Sequence, residues 1–206
     1  MRSAPLKKSA PKEKIDVREA CLAEALQIIS QNGLEALSLR EVARRLNVSH
    51  QAPYKHFPSR EHILAEVMER AFSGFTQYLK AAIGDGDPRG ALETIGRAYL
   101  EFAMQHPLQY RLMFGTPLPD LKEHPYLFAR ATEAFSLLKE AIRAIKTDAS
   151  ENELTSDALF AWSTVHGLAS LTQIGSFSLL GVQELDQRDK AIRDIMDHIC
   201  RSINSQ

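Results

Sequence analysis

Apolar residues recur at three- and four-residue spacing along most of the chain, and no stretch alternates as a strand would. That periodicity predicts an all-α protein of about nine helices. The first spans 16–32, with Val17, Cys21, Leu22, Ala25, Leu26, Ile28 and Ile29 mostly on one face. Asn32-Gly33 stops it, glycine supplying the conformation a helix exit needs. Leu34, Ala36 and Leu37 are apolar contacts in the connection. The run Ser38–Phe57, SLREVARRLNVSHQAPYKHF, then reads as a short helix, a tight break and a second short helix. Leu39, Val42, Ala43 and Leu46 point inward; Arg40, Arg44 and Arg45 stay outside. Ser38 with Glu41 three residues later forms a capping box. Asn47 tolerates a left-handed exit, and Ser49 is the expected cap of the next helix. That helix carries His50, Gln51, Tyr54, Lys55 and His56. Two short helices around a tight turn, with donors and cations on the second, form the helix-turn-helix pattern. Pro53 lacks a helical donor and should cost one backbone bond at the end of the first turn.

A long fourth helix, capped by Ser59, buries Ile63, Leu64, Val67, Met68, Ala71, Phe72, Phe75 and Leu79. Its length suits a rigid link from a small head to a larger body. GDGDP at 84–88 is a loop, with Asp87 as N-cap and Pro88 as the first residue of helix five. Helix five carries Leu92, Ile95, Ala98, Tyr99, Phe102 and Ala103, and ends before His106-Pro107. Helix six, 107–114, is closed by Gly115, and 116–124 is a loop. Helix seven runs over 125–146, with Leu127, Phe128, Phe135, Leu138 and Ile142 inside. Helix eight runs from about Leu154 to Phe177, counting Leu159, Trp162, Val165, His166 and Leu171 among its apolar or half-apolar positions. A polar break at 181–187 precedes helix nine, about 187–203. Three segments result: a flexible basic arm, 1–14; a helix-turn-helix domain, 15–62; and a helical body, 63–206.

Charge sharpens that division. The net charge of −1 suits a DNA binder poorly until it is apportioned. Residues 1–62 hold 11 Lys/Arg against 7 Asp/Glu, a balance of +4, and the rest hold 14 against 19, a balance of −5. The cationic part is therefore the part with the reading motif. Residues 1–14, with five Lys/Arg and two prolines, are either a solvated tail or an arm that adds phosphate contacts. Cys21 and Cys200, far apart, fit a reducing cytoplasm. No apolar run approaches the ~18–20 residues that span a bilayer, and no signal peptide is evident. Seven histidines invite a metal or acid–base site, yet no HExxH, paired CxxC or nucleophile elbow occurs. No catalytic residue, metal or cofactor is expected.

Residues 15–63 closely resemble the tetracycline-repressor (TetR) family of bacterial regulators. The resemblance rests on GLEALSLREVARRLNVS, then Tyr54, His56-Phe57 and Pro58-Ser59-Arg60-Glu61. The family usually has Lys where this chain has Arg60, and a Thr-Leu-like pair where it has Ala52-Pro53. Farther on, Trp162, His166 and Gly167, in WSTVHGL, look like the WHG motif of one C-terminal subclass. The resemblance implies a cytoplasmic repressor, a homodimer that reads a palindromic double-stranded operator and is released by a small-molecule effector.

On that reading His50 and Gln51 contact base edges, with Arg40 next. Ser38, Tyr54, Lys55 and His56 contact backbone, with Arg44 and the basic arm behind them, and Ser49 is counted with the DNA-binding residues. An apolar or aromatic ligand would lie among Phe72, Tyr99, Phe102, His106, Tyr110, Met113, Phe114, Phe135, Trp162 and His166, most of which serve equally well as plain core. His166, one turn after Trp162, reads as a satisfied core histidine or as an orienting contact. Ile192, Ile195, Met196, Ile199 and Ile203 form an apolar stripe for a second subunit or for helix eight of the same chain. The rivals are a DNA-binding structural protein without a ligand, a regulator controlled by a protein partner, and a helical-bundle enzyme.

Overall fold

The computed structural model describes residues 16–84, 90–173 and 185–204. Eight α-helices and two 3-10 turns, with no strand, make up its regular structure among the described residues. The helices are α1 (Val17–Asn32), α2 (Leu39–Arg45), α3 (Arg60–Ile83), α4 (Ala91–Gln105), α5 (Pro107–Phe114), α6 (Pro125–Ile145), α7 (Glu151–Gln173) and α8 (Leu185–Asn204). The 3-10 turns are Leu34–Ala36 and Pro53–Lys55. The chain divides into two compact units, 1–63 and 64–206, and the division falls within α3. The basic arm, the Asp87-Pro88 start of the fifth predicted helix, the last turn of the eighth and residues 181–184 of the polar break lie outside the described residues.

In the first unit, Asp16 caps α1, its carboxylate accepting from the Arg18 and Glu19 N–H groups. Cys21, Leu22, Ala25, Ile28 and Ile29 are buried on one face of α1. Gly33, at φ 83°, ends it in a conformation that costs a glycine little. Leu37, Leu39, Val42, Ala43, Phe57 and Ile63 complete the core.

The second unit is centred on α4, which packs against α5, α6, α7 and α8. Its apolar stripe buries Leu92, Ile95, Ala98, Tyr99 and Phe102. Gly96 lets α8 approach closely: a Cβ there would lie 2.1 Å from Met196 Cε. Helix α8 is described from Leu185 on, so residues 185–187, expected in a polar break, are helical. Phe128, Leu159 and Leu171, expected inside, are exposed instead. Spacing alone does not draw that distinction.

Candidate nucleic-acid interface and ligand cleft

The reading motif begins as expected and ends differently. Ser38 Oγ accepts the Glu41 N–H at 3.1 Å. The return half of the capping box is replaced, because the Glu41 carboxylate bonds Arg44 at 2.7 and 2.8 Å and Arg45 at 3.0 Å. The Arg44 and Arg45 guanidiniums hold that carboxyl down at about 2. Asn47 sits at φ 53°. Its N–H donates to the Arg44 carbonyl, and the Val48 N–H reaches back to the Ala43 carbonyl. Those two bonds make a Schellman exit and satisfy carbonyls a helix end would leave open.

The expected third helix is a series of turns that closes as the 3-10 turn Pro53–Lys55. Pro53 is the cause. An α-helix would need an N–H at residue 53 to reach the Ser49 carbonyl, and proline has none. Ala52 N–H takes that carbonyl instead, at 2.9 Å. The next donors follow the same tighter pattern: Lys55 to Ala52 and His56 to Pro53. Ser49 therefore acts through its carbonyl at this turn, and its side chain caps no helix. The Pro53 ring is buried, so it also packs.

The nine residues assigned to DNA lie together between Ser38 and His56. Arg40, His50, Gln51 and Tyr54 line one open concavity of about 600 Å³. Lys55, His56 and Ser49 are exposed beside them in sequence. Tyr54 is 42% exposed, which makes it a surface residue rather than half core. Ser38 spends its oxygen on the cap yet keeps a hydroxyl proton to donate. The neighbouring arginines diverge. The Arg44 side chain is 67% exposed and pairs only within its own helix, with Glu41. Arg45, expected outside, is a structural hub whose guanidinium donates to Glu41, Glu24, Gln31 and Asn32. Arg60 is a second structural cation, donating to the Leu37 and Leu34 carbonyls and so fixing the first turn of α3.

In the body the aromatic residues gather around Phe75, which is fully buried and was not expected at the site. Its ring lies 5.0 Å from Phe102, 5.1 Å from Tyr99, 6.2 Å from Phe114 and 6.4 Å from Trp162. Most of these contacts are edge-on, the favoured geometry for ring quadrupoles. Phe72 and Phe135 join at the margins, through Phe114 and Trp162. His106 packs on Phe102 at 4.7 Å. Met113 is buried. Tyr99 and Trp162 border a space of only about 20 Å³, room for a water. Phe72, Tyr99, Phe102 and Met113 are buried, and His106, Phe135 and Trp162 are half-buried.

Tyr110, Phe114 and His166 instead reach an open cleft of about 680 Å³, shared with Arg111, Ser170 and Gln173. The Tyr99 and Tyr110 hydroxyls lie 2.8 and 3.0 Å from His166 Nδ1. Burial pushes the His166 imidazole below its ordinary range and both tyrosines above theirs, so the trio is neutral at pH 7. His166 is thus a satisfied histidine that also borders the cleft. Arg111, Ser170 and Gln173 were missed. A legible signal existed: Trp162, His166, Ser170 and Gln173 share one helical stripe.

The stripe assigned to a partner subunit is corrected in part. Met196, Ile199 and Ile203 are each 1% exposed within the single chain. Met196 and Ile199 pack beside Ile95 and Gly96 of α4 and Val165 of α7, so α4 joins α7, the expected same-chain neighbour, in covering them. Ile192 and Ile195 remain half-exposed. Helix α7 exposes the apolar residues Leu159, Phe160 and Leu171, with Gly167 open to space on the same helix.

No group of three or more His, Cys, Asp or Glu is placed to hold a metal among the described residues, and no helix there is long and apolar enough to cross a membrane.

Comparison with known proteins bears on these features directly. Residues 22–67 match the model of bacterial regulatory proteins of the tetR family, and residues 92–199 match a tetracyclin repressor-like C-terminal domain. A nucleoid occlusion factor, SlmA, from Glaesserella parasuis is 27% identical over 131 residues, 63% of this chain and 64% of that protein. The HTH-type transcriptional repressor DrrR1 of Streptomyces coeruleorubidus is 34% identical over 94 residues, 46% of this chain and 34% of its own. The chain thus spans less than two thirds of either relative. A solved protein of unknown function from Rhodococcus sp. RHA1 superposes with a TM-score of 0.77 at 26% identity, covering 94% of this chain and 98% of that one. With its reading motif in one matched segment and its helical body in the other, the chain belongs to the TetR family of bacterial DNA-binding transcriptional regulators, which are not enzymes.

Proposed function

We propose that this regulator is a cytoplasmic repressor that binds a palindromic operator as a homodimer and leaves it when a small apolar or aromatic molecule occupies the body. The observation that carries the DNA half is the open concavity formed by Arg40, His50, Gln51 and Tyr54. Arginine matches guanine and glutamine matches adenine in the major groove. Ser38, Ser49, Arg44, Lys55 and His56 supply donors and charge for the backbone.

The outward face of α7 supports the dimer. Leu159, Phe160 and Leu171 are 53%, 47% and 37% exposed, and Gly167 would let a second backbone come close. Ile192 and Ile195 would extend that seam. Phe160→Asp is expected to convert a dimer to a monomer in sedimentation while the helical circular dichroism persists. A variant that still sediments as a dimer assigns the interface elsewhere.

Release is a linkage: ligand and DNA each favour a different spacing of the two heads, so each weakens the other. Helix α3 is the proposed lever, since Arg60 ties its first turn to the head and its remaining length belongs to the body. The cleft bordered by Tyr110 and His166 falls within the usual volume range of ligand sites. Control by a protein partner is the second reading, favoured by the filled ring cluster around Phe75. The test is binding to the intergenic DNA beside the protein's own gene. A complex that dissociates on adding the low-molecular-weight fraction of cell extract supports an effector. Dissociation by the protein fraction alone supports a partner.

A further inference from the structure

The cleft's two walls are single helical faces. Pro107, Tyr110, Arg111 and Phe114 recur at i, i+3, i+4 and i+7 on α5, and His166, Ser170 and Gln173 at i, i+4 and i+7 on α7. Three lining residues are rings: Tyr110 and His166 stack at 27°, and Phe114 meets His166 edge-on at 5.1 Å. Gln173 is anchored through its side-chain N–H to the Ala103 carbonyl, and Ser170 is hydrogen-bonded to Tyr110.

Arg111 differs from four other arginines of the body, which are committed to carboxylates: Arg70 to Glu66, Arg97 to Glu93, Arg130 to Glu69 and Glu133, and Arg143 to Glu140 and Glu151. The Arg111 guanidinium has neither an ion pair nor a hydrogen bond among the described residues. No carboxylate lines the cleft among them. An uncommitted guanidinium beside apolar rings, in a segment of balance −5, is a docking point for an anion from solution. Its planar fork matches a carboxylate through two parallel N–H bonds. A phosphate monoester would bring close to two charges to a single cation. The rings favour a flat apolar body behind the charged group.

We propose that this cleft binds an aromatic carboxylate, its carboxylate on Arg111 and its ring against Tyr110, Phe114 and His166. The proposal rests on the effector reading above and specifies the chemical class of the effector.

Isothermal titration of the full-length protein with 2-naphthoate, its neutral analogue 2-naphthamide, and decanoate tests it. Naphthoate is expected to bind about tenfold more tightly than the amide. Arg111→Gln should abolish that difference, leave the amide affinity unchanged, and leave the unliganded melting temperature unchanged because Arg111 is exposed. Arg111→Lys should restore part of the preference. Equal affinities for acid and amide, a preference that survives Arg111→Gln, tighter binding of decanoate, or no binding of either naphthyl compound would each overturn the assignment. Release of the intergenic DNA is read separately. Arg111-dependent naphthoate binding without DNA release refutes the effector role and leaves the cleft's ligand class standing. DNA release by the low-molecular-weight extract without naphthoate binding does the reverse.

Discussion

Between Ser38 and Phe57 the turns of the head are shaped by bonds that close over a few residues, and Arg45 ties the segment back to α1. Ser38 reaches Glu41, Glu41 reaches Arg44 and Arg45, and Val48 reaches back to Ala43. The body is held by contacts that close over long stretches of chain. Tyr99 meets His166 across 67 residues, and Tyr110 meets it across 56. The head exposes most of the groups it uses, whereas the body buries Phe72, Phe75, Tyr99, Phe102 and Tyr110. The head's chemistry is therefore a property of one short segment. The body's site exists only after two distant helices have packed.

The largest expected effect lies in the body. Phe75→Ala removes the ring at the centre of the cluster and should cost about 3–5 kcal/mol of unfolding free energy in urea titration. A loss below about 1 kcal/mol would mean that the rings do not hold the body. In the head the two adjacent arginines should separate. Arg45→Ala breaks a hub with four partners and should cost about 1 kcal/mol, with little direct effect on DNA contacts. Arg44→Ala should leave the unfolding midpoint unchanged and weaken DNA binding. The opposite outcome would exchange their roles.

The smallest effect concerns acid. The Glu41 carboxyl is held at about 2 by Arg44 and Arg45, below the ordinary glutamate value of about 4.3. Its folded value is depressed, so its contribution is fully present above the ordinary value and fades as pH falls through that window. Urea midpoints measured from pH 7 to pH 2 should show a shallower acid decline in Glu41→Gln. An identical decline would place the proton uptake on other carboxyls.

The same contrast explains what could be read from the amino-acid order. The Ser38 cap, the left-handed Asn47 and the Gly33 exit were legible because capping and φ preferences are set by immediate neighbours. Helix boundaries in the body were legible for the same reason, at Pro107, Gly115 and Pro125. Pro53 stood out, but its consequence was understated: one missing donor converted an expected helix into a 3-10 turn. Phe75 is legible as a buried position of helix four but not as the centre of the ring cluster, because spacing gives a face and not a partner. Met196, Ile199 and Ile203 form a clean stripe, and a stripe alone does not tell α4 of the same chain from a second subunit. The close approach at Gly96 seats Met196 on α4. Arg111 was overlooked because an isolated arginine on a helix surface carries no pattern. Its environment appears only when α5 and α7 are brought together.

The salt dependence of DNA binding tests the central assignment most directly. Affinity for the intergenic duplex would be measured from 50 to 300 mM salt for the wild-type protein and Lys55→Ala. Lys55 is exposed at the end of the reading turn and should contact a phosphate. Its removal should weaken binding to all duplexes alike and reduce the slope of log K against log salt by about 0.9 for each phosphate that Lys55 neutralises. A slope equal to that of the wild type would contradict the placement of the Ser38–His56 surface against the DNA backbone.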